Sequence, residues 1–184
     1  SEQFMSSHLF LLVIPQNRFC EQQLFDLKEV LERDSGQCRV LSKSGKEAKG
    51  EGKISLQPEG MVVDWNRYLQ GREKYDAVIV IGGKGSRSSI WEDQILPQIL
   101  TDHYRAGKIL GAFGLSIVAL ARAGLLSRCE VSAPLDDEAC LKELEEVGAF
   151  PEDKSLVVVD KIITSNDPES GKLFGEKILE LLQD

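Results

Sequence analysis

Three short stretches put reactive or anion-binding groups where the chain must turn sharply. Tyr75-Asp-Ala-Val-Ile-Val-Ile81 runs into Gly82-Gly83-Lys84-Gly85, and glycines directly after a strand let backbone N–H groups approach a phosphate or a developing oxyanion. The spacing matches neither G-x-G-x-x-G nor G-x-x-x-x-G-K-[ST], so a backbone nest or a plain tight turn is favoured over a phosphate cradle. Ile109-Leu-Gly-Ala-Phe-Gly114-Leu-Ser116 has the outline of a nucleophile elbow. Val118 stands where G-x-S-x-G needs its second glycine, which makes Ser116 a cap for the following helix rather than a nucleophile. Cys20-Glu21 sets a thiol beside a carboxylate, an arrangement that opposes thiolate formation.

The other chemical resources are few. The chain has two histidines, His8 and His103, so an imidazole base would have to be one of them. His103 falls in a helical stretch and is expected to face solvent. Cys20, Cys38, Cys129 and Cys140 form no Cys-x-x-Cys pair and have no neighbouring histidines, which removes the usual zinc and thioredoxin-like patterns. The last three read as small core residues. No cofactor or metal is implied.

The elements that must position these groups follow from periodicity. Short apolar runs at 8–14, 38–41, 75–81, 109–113, 156–159 and 162–164 read as buried strands, with Val62 and Val63 extending a sheet edge. Helical spacing marks a segment from Leu24 to Leu31 closed by Gly36 as a C-cap glycine, and others over 90–104, 115–126, 138–147 and 172–182. Residues 43–56 read as a solvated surface hairpin. Strands alternating with helices imply an α/β three-layer sandwich around a doubly wound, mostly parallel sheet of flavodoxin-like type. Ligands gather beyond the carboxyl ends of such strands, which singles out the turns after Ile14, Ile81 and Phe113.

At 184 residues, 42% hydrophobic and 28% charged, the chain has the makings of one globular domain, taken as residues 5–184 with 1–4 as a cloning remnant. A net charge of −8 argues against nucleic acid as a partner. The apolar run at 7–15 is too short to span a membrane and lacks the flanks of a signal peptide, so the expectation is a cytoplasmic protein with no membrane partner.

Four ordered motifs carry a further resemblance: Tyr75-Asp-Ala-Val-Ile-Val-Ile-Gly-Gly83, Gly107-Lys-Ile-Leu-Gly-Ala-Phe-Gly-Leu115, Ala121-Arg-Ala-Gly-Leu-Leu126 and Val158-Val-Asp-Lys-Ile-Ile-Thr-Ser165. With Pro168 and the last amphipathic helix, they make the chain resemble the ThiJ/PfpI (DJ-1-like) superfamily, of class I glutamine-amidotransferase-like fold. In that family the elbow reads approximately A-x-C-H-G-P. Counting back from Ala123, the resemblance places the cysteine position on Gly114 and the next on Leu115, and a second family histidine position on Ala133. A family glutamate in a G-F-E-D-x-E segment after the first strand falls at or near Glu21.

The resemblance therefore implies a member without its cysteine nucleophile, a pseudoenzyme with a pocket built from Glu21, Gly82, Gly83, Gly114, Leu115, Ser116 and Pro168. Glycine at the elbow fits, because a strained backbone costs about 1 to 3 kcal/mol and glycine relieves most of it. Enclosed there, Glu21 would have a raised pKa and serve as a proton donor. A small-molecule ligand and a homodimer are the partners implied. The alternative is a divergent hydrolase, glyoxalase or deglycase in which Cys20 or Ser116 is activated by Glu21, with Cys20 a redox candidate.

Overall fold

A computed structural model describes residues 7–183; residues 1–4, read as a cloning remnant, lie outside them. The first strand, β1 (Leu9–Val13), leads to α1 (Glu21–Leu31), β2 (Gln37–Ser42), the small strands β3 (Ala48–Lys49) and β4 (Ser55–Leu56), and β5 (Gly60–Met61). The second half runs β6 (Ala77–Val80), α2 (Ser86–Ser89), α3 (Leu96–Arg105), β7 (Ile109–Phe113), α4 (Ile117–Arg122), β8 (Glu130–Ser132), α5 (Glu138–Glu146), β9 (Phe150–Glu152), β10 (Leu156–Val159), β11 (Ile162–Ser165) and α6 (Gly171–Gln183).

The main sheet has seven strands in the order β10-β11-β7-β6-β1-β2-β5. All neighbours are parallel except β10 and β11. The expected doubly wound α/β sandwich is the observed one. Alternation along the strands explains the three layers. Leu9, Leu11, Val13, Val78, Val80 and Leu110 pack toward α3, α4 and α5. Phe10, Leu12, Ile79, Ile81 and Phe113 pack toward Leu24 and Leu27 of α1 and Phe174 and Ile178 of α6. A sheet apolar on both faces reads in sequence as unbroken hydrophobic runs, which is why these strands were legible.

Several local expectations are corrected. Gly36 is not a left-handed C-cap: its φ is −64°, and Asp34 and Ser35 take the positive φ angles instead. Val62 and Val63 lie in a 3-10 turn over Val62–Tyr68, and the sheet edge is β5 just before them. The helix read over 90–104 begins only at Leu96, where the Asp93 carboxylate accepts the N–H groups of Ile95 and Leu96 and Pro97 occupies the first turn. The helix read over 115–126 is a 3-10 turn (Gly114–Ser116) followed by α4, which ends before a left-handed Gly124. The parallel pair β8 and β9, three residues each, was not anticipated.

His103 is fully buried rather than solvent-facing. Its Nε2 accepts the Tyr75 N–H at 3.1 Å, so the proton sits on Nδ1, which donates to the Ile99 carbonyl at 2.7 Å. Burial is the main cause of a pKa below the ordinary histidine value, against the opposing pull of the Ile99 carbonyl. Folding therefore favours the neutral imidazole, and the unfolded chain takes up a proton first as pH falls. Stability from this group is present above pH 6.5 and lost below it, by at most about 1.4 kcal/mol per pH unit. Urea denaturation at pH 7.5 and 5.0 is expected to show that loss in the wild type and a smaller one in His103→Gln, which keeps an acceptor for Tyr75. Equal losses in the two proteins would contradict it.

Candidate functional site

The carboxyl ends of β1, β6, β7 and β11 converge where the strand order reverses direction, between β1 and β6. A shallow cleft of about 210 Å³ opens there. Each strand contributes through the segment that follows it: Cys20 and, in the first turn of α1, Gln23 after β1, Gly83 and Lys84 after β6, Gly114 and Leu115 after β7, Asn166 and Pro168 after β11. Pro134, after β8, and Glu51, from the tip of the β3–β4 hairpin, complete the wall.

Gly114 adopts φ +53°, the left-handed region that side chains rarely enter. A Cβ at this position would project into open space, its nearest neighbour the Asn166 Oδ1 at 3.9 Å. The turn is held from behind. Trp91 Nε1–H donates to the Leu115 carbonyl at 2.8 Å. Ser116 is fully buried and donates to the Ile81 carbonyl at 2.6 Å, which leaves its oxygen to accept from the Ser86 hydroxyl at 2.7 Å. Ser116 thus fastens the β7 turn to the end of β6. It makes no capping bond to α4 and does not line the cleft.

Gly83, at φ +128°, is required by close approach: a side chain there would collide with the Arg18 carbonyl and the Cys20 amide. Gly82 stands one layer behind the wall, its N–H donating to Gln23 Oε1 at 3.0 Å and its carbonyl accepting the Cys20 N–H at 2.8 Å. The carboxamide that reaches the glycine turn therefore belongs to Gln23, two residues beyond Glu21. In an F-E-D-x-E reading of Phe19-Cys20-Glu21-Gln22-Gln23, the final position falls on Gln23.

Glu21 points elsewhere, and its expected role as a pocket acid is overturned. Its carboxylate accepts the N–H groups of Gly52 at 2.9 Å and Ile54 at 3.0 Å, clasping the β3–β4 hairpin. Partial desolvation pulls this carboxyl upward, but the Gly52 and Ile54 amides outweigh it and hold the pKa below the ordinary glutamate value. It is a charged structural acceptor at neutral pH. The hairpin is correspondingly not a free solvated loop: Arg18 N–H donates to Lys49 at 2.6 Å and Glu51 N–H to Phe19 at 2.9 Å.

Cys20 does line the cleft, at the residue preceding α1, and is nearly buried. Burial pushes its thiol above the ordinary cysteine pKa, and the Glu51 charge adds to this against the lowering effect of the Gln23 and Gln22 amides. Cys38, Cys129 and Cys140 are buried free thiols away from the cleft. Both histidines lie at the opposite end of the sheet, His8 just before β1 and His103 against Tyr75 before β6.

Of the residues singled out from the sequence, Cys20, Gly83, Gly114, Leu115 and Pro168 meet in the cleft, whereas Glu21, Gly82, Ser116 and Ala133 do not line it. Gln23, Glu51, Lys84, Pro134 and Asn166 were missed. Replacing Glu21 by alanine would leave the Gly52 and Ile54 amides to water and is expected to cost about 1 kcal/mol. Hydrogen exchange of the Gly52 and Ile54 amides should then accelerate at least fivefold, with those of β6 unchanged. Unaltered exchange at Gly52 and Ile54 would refute the clasp.

Comparison with known proteins agrees with this fold. Among solved structures, a ThiJ/PfpI domain protein from Brachyspira murdochii superposes with a TM-score of 0.83 at 21% identity, covering 97% of this chain and 98% of that one. DJ-1beta of Drosophila melanogaster superposes with a TM-score of 0.77 at 20% identity, covering 97% of each chain. An uncharacterized protein of Methanocaldococcus jannaschii is 30% identical over 179 residues, 97% of this chain and 84% of that protein. The model of the DJ-1/PfpI family matches residues 10–181, and the chain belongs to that family.

Proposed function

We propose that this chain is a DJ-1/PfpI protein that has given up cysteine chemistry and uses its strand-end cleft to bind a small polar ligand reversibly. One observation supports the reading: the turn after β7, where the family resemblance puts the cysteine, is left-handed at Gly114, and the space into which a side chain there would project is open. The cleft's sulfur, Cys20, is raised in pKa by burial and by Glu51, the opposite of what an attacking thiol needs. Among the described residues, no imidazole lines the cleft.

The enzyme alternative is narrowed by the same geometry. Ser116 is buried and committed to Ile81 and Ser86, and Glu21 is turned toward the hairpin. Cys20 is what remains of it. The cleft retains groups suited to recognition: the Gln23 and Asn166 carboxamides, the Glu51 carboxylate and the Lys84 side chain, around an apolar floor of Leu115, Pro134 and Pro168.

Neutral polar fragments such as acetamide, N-methylurea and small diols are expected to shift the backbone amides of Gly83, Lys84, Gly114 and Leu115 saturably in ¹⁵N-labelled protein. Cys20→Ser should bind them within threefold of wild type. Absence of any saturable shift in these residues would overturn the proposal.

A further inference from the structure

The glycine turn after β6 is where an α/β sheet of this type offers backbone N–H groups to an anionic ligand oxygen. Here one of those groups is already taken by the chain itself. The Lys84 N–H donates to Glu51 Oε2 at 2.8 Å. Glu51 comes from a different part of the molecule, the tip of the β3–β4 hairpin, and its carboxylate stands in the cleft wall beside Cys20, Gly83 and Lys84.

The tip is fixed, not draped. Glu21 holds Gly52 and Ile54 through both carboxylate oxygens, Glu51 N–H is bonded to Phe19, and Arg18 N–H to Lys49. Gly50 lies so close to the Glu21 carboxyl that any side chain at 50 would overlap it. Two carboxylates with different tasks result: Glu21 sets the position of the hairpin, and the hairpin delivers Glu51 to the turn.

We propose that Glu51 is the built-in occupant of the anion position of this cleft and thereby determines which ligands it admits. While Glu51 accepts from Lys84, carboxylates and other oxyanions find the amide filled and a like charge beside it. Ligands that bring N–H or O–H donors meet the second Glu51 oxygen and the Asn166 carboxamide instead. Removing Glu51 frees the Lys84 amide and takes away the negative charge beside it, converting the cleft into an anion site. The inference rests on the binding reading given under Proposed function and adds the chemical class of the ligand.

The test titrates sodium acetate, at constant ionic strength, into the ¹⁵N-labelled full chain as wild type, Glu51→Ala and Glu51→Gln. Acetate is expected to bind Glu51→Ala at least tenfold more tightly than wild type, with shifts confined to Gly83, Lys84 and Leu115. Glu51→Gln, which still offers an acceptor to Lys84 but carries no charge, should gain less than Glu51→Ala. Unchanged Gly52 and Ile54 resonances report that the hairpin remains in place. Equal acetate affinity in wild type and Glu51→Ala, or the same gain in Glu51→Gln as in Glu51→Ala, would overturn the proposal. Neutral fragments titrated in parallel separate the two ideas: their failure to bind sinks the binding reading, whereas failure of the acetate gain sinks only the role of Glu51.

Discussion

The constraint on which everything else depends is burial of the parallel strands β1, β6, β7 and β11 on both faces. Strands covered by helices on either side have no solvated face on which to carry polar groups, so polar chemistry is confined to their ends. Because the four strands run the same way and lie side by side, the turns that follow them open at one edge of the sheet. Cys20, Lys84, Gly114 and Asn166 are far apart in sequence and lie around one cleft for that reason. The same burial decides the fate of polar residues near the strands: Ser116 and His103, removed from water, are spent on backbone partners.

Within that frame, the elbow after β7 separates shape from chemistry. Left-handed Gly114, the Trp91 bond to Leu115 and the Ser116 bond to Ile81 preserve a turn that lifts residue 114 to the mouth of the cleft. The turn needs those supports whether or not a side chain stands on it. A glycine at this point lowers the conformational cost of the left-handed backbone. The hairpin adds the other half of the arrangement, since its position is set by hydrogen bonds between charged carboxylates and backbone amides, which are stronger than neutral ones.

Much of this was legible in the sequence. Doubly buried strands read as apolar runs, and the glycines at 82, 83 and 114 marked the turns that matter. His103 and Gln23 were legible too, had the helical faces been traced to their ends: His103 extends the inward stripe of Leu96, Ile99 and Leu100, and Gln23 that of Leu27 and Val30. A polar residue on an apolar stripe must have a buried partner, and each does. Glu51 was not legible. Its role depends on where a surface hairpin docks, which is decided by hydrogen bonds to Glu21, Phe19 and Lys84 that leave no periodic trace. Glu21 misled for the complementary reason, since its place beside Cys20 in the chain says nothing about the direction in which its side chain leaves the helix.

The central proposal is that the site works without cysteine chemistry. Its most direct measurement is the initial rate of consumption of a small α-oxoaldehyde by the wild-type chain and by Cys20→Ser, against buffer. The account predicts that both proteins match the buffer rate. A wild-type rate above background that Cys20→Ser abolishes would contradict it, and would place the working thiol just before α1 rather than at the elbow.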